Sequence, residues 1–387
     1  MKTEETHNKQ EKQALTDLEK VDCKTGHMGG KTGRIYRSWS GGRRRILGGE
    51  ADDYCYHVMS RTTGGDFLFG AEEKEALRKI MWRMANFCGV KLLTYCVMDN
   101  HFHMLVRVPS QQAFLRRFED RVGEEPGAGE ERLLDHLSIL YSKSYVQHMR
   151  EEIAWMRENG MEEDVAKFLQ KYKNRFCDLS LFVKQVKERF SRWYNKKHSR
   201  RGTLWMDRFK SVLVENGEAL QTMAAYIDLN PVRAGLVQDP KDYRWCGYAE
   251  SVGGSKRARR GLCRVMGKPL DSWAENGSWY RCWLMTDGEE VEENKQYQVR
   301  TRKGISVSKV KKELARGGSL PNATRLRSRV KYFTAGLALG SREFVNGLFE
   351  ENRDKFGPKR KQGAKPLGRE RGKKVDAETD SNELFSL

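Results

Sequence analysis

The chain has 387 residues, with 72 Lys and Arg against 53 Asp and Glu, a formal net charge of +19; 38% of its residues are hydrophobic and 32% are charged. That length accommodates two or three domains, and the apolar content supports a real core in part of the chain only. Met1 to Lys20 is charged throughout, which excludes a signal peptide there, and the longest mostly apolar run, Val90 to Met98, is too short to cross a bilayer.

The cationic surplus points to a polyanionic partner, because each phosphate neutralised by Lys or Arg releases a counterion. The 8 cysteines include no pair separated by two residues, so zinc-ribbon and redox spacings are absent. They read as reduced thiols of a cytosolic protein. Cys23 and His27 make one metal half-site with no obvious second half. The expected setting is cytoplasmic and nucleoid-associated, without membrane contact.

In chain order, residues 1–50 read as a flexible basic arm carrying Arg43, Arg44 and Arg45. Tyr54 to Arg61 reads as a strand, Gly64-Gly65 as a turn, and Glu72 to Phe87 as a helix from the spacing of Leu77, Ile80, Met81 and Met84, capped by Gly89. Lys91 to Met98 and His101 to Val108 read as two strands joined by an Asp99-Asn100 turn. Residues 112–176 are mostly helical, broken at Gly123 to Gly129 and at Asn159-Gly160, so about 111–179 is expected to be an insertion with two longer helices. Leu181 to Asn195 predicts a helix with a buried stripe of Phe182, Val186, Phe190 and Trp193. Lys210 to Glu215 predicts a strand, and Glu218 to Leu229 a helix with Asn216 as N-cap, ended by Pro231. Lys256, Arg257, Arg259, Arg260 and Arg264 read as a basic linker. The expected plan is a main domain at 51–250, a small domain of unknown role at 251–356, and a disordered basic tail at 357–387.

Two constellations carry chemistry. In a strand, residues i and i+2 share a face, so His101 and His103 project together while Phe102 packs behind them. Two neutral imidazoles so placed can hold one divalent metal, although a pair of structural histidines gives the same short pattern. Tyr226 and Asn230 stand four apart at a helix end and share a face. A tyrosine hydroxyl can attack a phosphodiester, and an Asn230 amide oxygen can complete a site begun by the histidines. The plainer alternatives are a packed helix aromatic and a local turn residue before Pro231. A cationic segment also stands out. Lys187, Arg192, Lys196, Lys197, Arg200, Arg201 and Arg208, with Trp193, Tyr194 and Trp205 nearby, suit a single strand whose phosphates take the charge, with Trp193 itself better placed in the core.

These residues resemble a family. YCVMDNHFHMLVRVP at 95–109 is similar to the metal motif of the REP-associated tyrosine transposases, relatives of the IS200/IS605 transposases. YHVMSR at 56–61, RRGTLWMDRFKSVLV at 200–214 and YIDLNPVRAGLVQDPKDYRWCGY at 226–248 follow in the family's order. Cys246 stands where the family often has serine. The resemblance implies an α+β fold: a ferredoxin- or RRM-like antiparallel sheet with helices (an HUH domain), here with a helical insertion and a basic C-terminal extension. It implies His101, His103 and Asn230 as metal ligands, Mg²⁺ or Mn²⁺ as cofactor and Tyr226 as nucleophile. It further implies single-stranded or hairpin DNA as partner, and either a homodimer or a chain acting alone. The rival expectation is a catalytically silent, domesticated protein that holds hairpin DNA without cutting it.

Overall fold

The structure, a computed structural model, describes residues 53–285, 290–294, 299–303, 336–358, 360–366 and 385–387. The expected basic arm with its arginine triplet, and Cys23 with His27, lie outside the described residues.

Four strands form the centre: β1 (Tyr54–Arg61), β2 (Lys91–Val97), β3 (His101–Val108) and β4 (Lys210–Val214), in the order β2-β3-β1-β4, all antiparallel. Helix α1 (Ala71–Cys88) joins β1 to β2 and packs with α6 (Leu179–Lys197), which precedes β4. This βαββαβ arrangement is the ferredoxin-like α+β fold expected from the sequence. Gly89 caps α1 in the left-handed region at φ 73°, where a side chain would be strained.

Alternation along the strands divides the interior into two cores. Tyr56, Val58, Phe102, Met104, Val106 and Leu213 point toward α1 and α6. Cys55, Leu93, Cys96, Leu105, Val212 and Val214 point the other way, toward α7 (Glu218–Asp228) and the helices beyond it. His57, His101 and His103 have the parity of the second group. Within α6, Phe182, Val186 and Phe190 are buried as expected, but Tyr194 takes the last buried position and Trp193 is half-buried.

The insertion lies on the α1/α6 side. It holds α2 (Gln111–Leu115), α3 (Ala128–Leu137), α4 (Lys143–Glu158) and α5 (Glu162–Lys173). The two longer helices are present, preceded by the shorter α3, which the sequence pattern did not separate. Ser142 starts α4 by accepting the Tyr145 backbone N–H, so this polar residue, rather than a glycine, marks the added boundary.

Three local expectations are corrected. The N-cap of α7 is Gly217; the Asn216 amide oxygen instead accepts from Arg107 Nη2 at 3.0 Å and from the Cys55 thiol. Pro231 does not stop the helical path, because a short helix α8 (Asn230–Arg233) begins around it, where its missing N–H costs nothing. The supposed basic linker is helix α10 (Lys256–Val265), reached through α9 (Gly247–Val252) and followed by α11 (Trp273–Met285). Ala258, Gly261, Leu262 and Val265 form its buried stripe against β2. A Cβ at Gly261 would stand 2.3 Å from the Leu93 carbonyl oxygen, so only glycine permits this approach. Cys246 caps α9, its sulfur accepting the Ala249 N–H, as a serine hydroxyl would.

The sheet continues past β4. β7 (Ala338–Gly340) pairs with it in parallel, and β9 (Phe385–Ser386) and β8 (Lys365–Pro366) follow antiparallel, completing seven strands. Helix α12 (Arg342–Glu351) packs against β7. Part of the expected disordered tail is therefore sheet, anchored by buried Phe385 and Leu387; residues 367–384 lie outside the described residues. A separate hairpin joins β5 (Glu290–Asn294) to β6 (Val299–Lys303). No helix among the described residues is long and apolar enough to cross a membrane. The seven cysteines among them are all free.

Asp228 ties α7 to its surroundings. Its fully buried carboxylate accepts from Thr94 Oγ1 at 2.7 Å, Tyr280 Oη at 2.6 Å and the Tyr248 N–H at 3.2 Å. Burial nonetheless outweighs these donors and raises its pKa to about 7 from 3.8. The folded state thus holds this proton more tightly than the unfolded chain does. Stability from this group is greatest below about pH 4, falls as pH rises toward about 7, and is level above that. Asp228→Asn is expected to remove this decline. Thermal melts of both proteins from pH 4 to 8 check it: their difference should grow in favour of the variant across that window.

Candidate active site

β1 and β3 present their histidines to α7. The registers Met59↔His103 and His57↔Leu105 make His57 and His103 diagonal neighbours. Their rings stack with centroids 5.1 Å apart, and His57 Nε2 meets His103 Nδ1 at 2.8 Å. His101 lies two residues away on the same face, its ring 5.0 Å from that of His103. Phe102 points to the opposite core and meets Trp205.

Hydrogen bonds fix which nitrogens are left over. Asn100 Nδ2 donates to the Gly65 carbonyl at 2.7 Å, which turns its Oδ1 toward His101 Nδ1 at 2.6 Å. An amide oxygen only accepts, so His101 donates from Nδ1 and carries its lone pair on Nε2. His103 engages His57 through Nδ1 and likewise has Nε2 left. Burial, with the nearby Arg61 and Arg233 charges, lowers the His101 pKa to about 4. Burial and the neighbouring imidazoles hold His103 well below the usual range. Both are neutral at physiological pH, the state a metal ligand requires.

Tyr226 comes from the last turn of α7. Its ring lies edge-on to His57 and His103, at 5.9 and 5.8 Å, and is only 1% exposed. Arg233 from α8 covers its other side, with the guanidinium 4.5 Å from the ring centre. Burial raises the Tyr226 phenol above its usual pKa, while the charge of Arg233 and its hydrogen bond to the phenol oppose this. Asn230 Nδ2 donates to the carbonyls of Tyr226 and Ile227 at 2.9 and 3.3 Å, and its Oδ1 accepts from Arg233 Nη1 at 3.4 Å. The local turn role is thus present, and the amide oxygen faces Arg233.

The donor set fits a divalent ion in part. Two neutral imidazoles with anchored rings suit Mn²⁺ better than Mg²⁺, which prefers oxygen. No group of three or more His, Cys, Asp or Glu able to hold a metal occurs among the described residues. Asn230, the third ligand expected from the sequence, is an amide whose oxygen faces Arg233 in this structure. With Arg61 and Arg233 close by, an added cation also needs an anion beside it.

The cations singled out in the sequence divide. Lys197 pairs with Glu72 at 2.6 Å and Glu73 at 2.7 Å. Lys187 donates to the Asp207 carbonyl at 2.7 Å beside the Trp205 ring. Arg200 is half-buried and donates to the Thr203 carbonyl. Arg192, Lys196, Arg201 and Arg208 are exposed. Trp205 is a core residue, meeting Phe69, Phe102 and Phe190.

Sequence reasoning missed His57, Asn100, Arg61 and Arg233. His57 was legible as a histidine within the predicted strand Tyr54 to Arg61. Arg233 lies seven residues after Tyr226, about two helical turns, which returns it to the same face.

Residues 50–118, which carry β1, β2, β3 and both motif histidines, match the family model described as Transposase IS200 like. Over this segment the chain is similar to the IS200-like transposases. A solved structure described as "Structure of the REP associates tyrosine transposase bound to a REP hairpin" is similar at 14% identity, covering 60% of this chain and 90% of that one with a TM-score of 0.34. No curated protein matches the chain. The IS200-like segment supplies the histidines; Tyr226, Asn230 and Arg233 come from beyond it.

Proposed function

We propose that the protein cleaves and transfers single-stranded DNA, with Tyr226 as nucleophile and His101 and His103 as ligands of a divalent metal, on substrates with hairpin structure. The meeting of Tyr226 with His103, from an element far away in sequence, carries this reading. Tyr226 Oη attacks the scissile phosphorus, forming an Oη–P bond as the P–O3′ bond breaks. The phenol proton passes to water and the departing 3′-oxygen takes one from water, leaving a 5′-phosphotyrosine and a free 3′-hydroxyl. Arg233, against the phenol, stabilises its developing negative charge. His57 and Asn100 engage Nδ1 of the two imidazoles, so Nε2 of each would be the nitrogen offered to a metal. A bound metal would polarise the phosphate and offset its charge. Asn230 is the proposed third ligand. Lys187, Arg192, Lys196, Lys197, Arg200, Arg201 and Arg208 are proposed to meet DNA phosphates.

The deciding experiment incubates the protein and Mn²⁺ with end-labelled hairpin oligonucleotides bearing single-stranded flanks. A covalent adduct that survives denaturing gels, and disappears with EDTA, is expected. Binding without an adduct would favour the domesticated, non-cleaving alternative.

Asn230→Ala separates ligand from turn. A lost ligand raises the metal concentration needed for cleavage, whereas a lost local hydrogen bond lowers stability by about 1 kcal/mol. The amide makes the local hydrogen bonds and is the proposed ligand, so both effects are expected. A metal titration beside metal-free melts measures them, and an unchanged titration midpoint removes Asn230 from the site.

A further inference from the structure

At the far end of β3 a second group of polar residues gathers. Arg107 lies on the same face as His101 and His103, four residues past His103, or about 14 Å at ~3.4 Å per residue. Lys91 is its direct cross-strand partner. Arg264, in the last turn of α10, reaches the same place because α10 docks on β2. All three side chains are half-buried.

Their partners set them apart. Several other cations of this fold meet carboxylates: Arg78 with Glu75 and Glu250, Arg150 with Glu131 and Asp135, Arg281 with Asp239. Among the described residues, none of Lys91, Arg107 and Arg264 has a carboxylate at ion-pair distance. Arg107 spends one nitrogen on Asn216 Oδ1, at 3.0 Å, and lies beside the Cys55 thiol; its buried Nε has no partner among the described residues. Around them stand more cations: Arg117 faces Lys91, and Arg260, itself paired with Asp271, faces Arg264. Asp53 is the acid that Lys91 faces, at longer range. Burial and mutual repulsion lower the pKa of both Lys91 and Arg264. A cluster of like charges withdrawn from water and lacking an anion destabilises the fold, and binding an external anion relieves it.

We propose that Lys91, Arg107 and Arg264 form a second DNA-backbone site, which takes phosphates of the hairpin stem while the cleaved strand lies at Tyr226. This rests on the DNA-cleaving reading above. The spacing from His103 corresponds to about four phosphates along one strand, at ~3.4 Å each. The site is distinct from the cations of α6.

The test uses the full chain and a labelled DNA hairpin with single-stranded flanks, with affinity measured across a salt series. Lys91→Gln combined with Arg264→Gln is expected to make the slope of log K against log salt shallower by about 1.8, since each phosphate contact contributes ~0.9 on duplex DNA. The same variant should melt at or above the wild-type temperature, because repulsion is relieved. Lys91→Arg with Arg264→Lys keeps the charge and should keep the slope. Wild-type binding with an unchanged slope in the glutamine variant overturns the site but leaves the cleavage reading intact. Equal loss in the charge-conserving variant also overturns it, by tracing the effect to structure. A wild-type protein that binds no DNA removes both readings together.

Discussion

Tyr226→Phe is expected to abolish the covalent DNA adduct and to slow cleavage by at least roughly 10³-fold, because no other group replaces the attacking oxygen. The ring is retained, so its edge contacts with His57 and His103 and the cover provided by Arg233 survive. Stability should fall by about 1 kcal/mol for the lost hydrogen bond from Arg233. Hairpin binding should persist, since the phenol contributes no charge to it. The readouts are a denaturing gel for adduct and an equilibrium binding assay on the same sample. Cleavage at the wild-type rate would remove Tyr226 from the chemistry. The enclosure of this residue adds a second expectation: with Tyr226 only 1% exposed, its surroundings must open before DNA reaches it. Cleavage should therefore show a step that depends on temperature more steeply than DNA binding does.

His101→Ala and His103→Ala are each expected to lower cleavage by at least roughly 10²-fold and to weaken Mn²⁺ binding, as loss of one of two imidazole ligands should. Their stability effects should differ. His103 is buried and shares a 2.8 Å hydrogen bond with His57, so its removal leaves a buried ring nitrogen unpartnered and a small cavity, costing about 2–3 kcal/mol. His101 is less enclosed and bonds only Asn100, so its loss should cost about 1 kcal/mol. Melts without metal, set beside Mn²⁺ titrations of cleavage, separate folding from ligation. A variant that cleaves normally at limiting Mn²⁺ assigns that histidine a structural role.

The centre of the fold was readable because its signals are local. Strand alternation around His101 and His103 and the apolar spacing in α1 each follow from a few neighbouring residues. The errors came where a tertiary partner decided the outcome. Asn216 has good N-cap chemistry, but Arg107 and Cys55 claim its side chain. The arginines of α10 mask an apolar stripe that only a neighbouring strand makes meaningful. β7, β8 and β9 are too short to show a period, and successive pairing creates them, β7 on β4, β9 on β7 and β8 on β9. The site followed the same rule: the His101 and His103 pair is written within one strand, whereas the bond from His57 depends on the register between two strands.

The chain leaves the sheet scaffold after β3 and returns to it before α6 at nearly the same point. Gln111 Nε2 donates to the Phe176 carbonyl at 2.9 Å, and the Cys177 N–H donates to the Cys88 carbonyl at 2.8 Å. Everything between hangs from this junction on the face away from the histidines, with Phe114, Phe118, His136 and Phe176 gathered against Phe87 as its plug. The junction is therefore a port. A sequence of different length, or a foreign domain whose ends meet as closely, can be grafted there without shifting the register between β1 and β3, provided it brings its own apolar cover for Phe87. An architecture of this kind lets a protein acquire new surfaces while the histidine face stays fixed on the opposite side of the sheet.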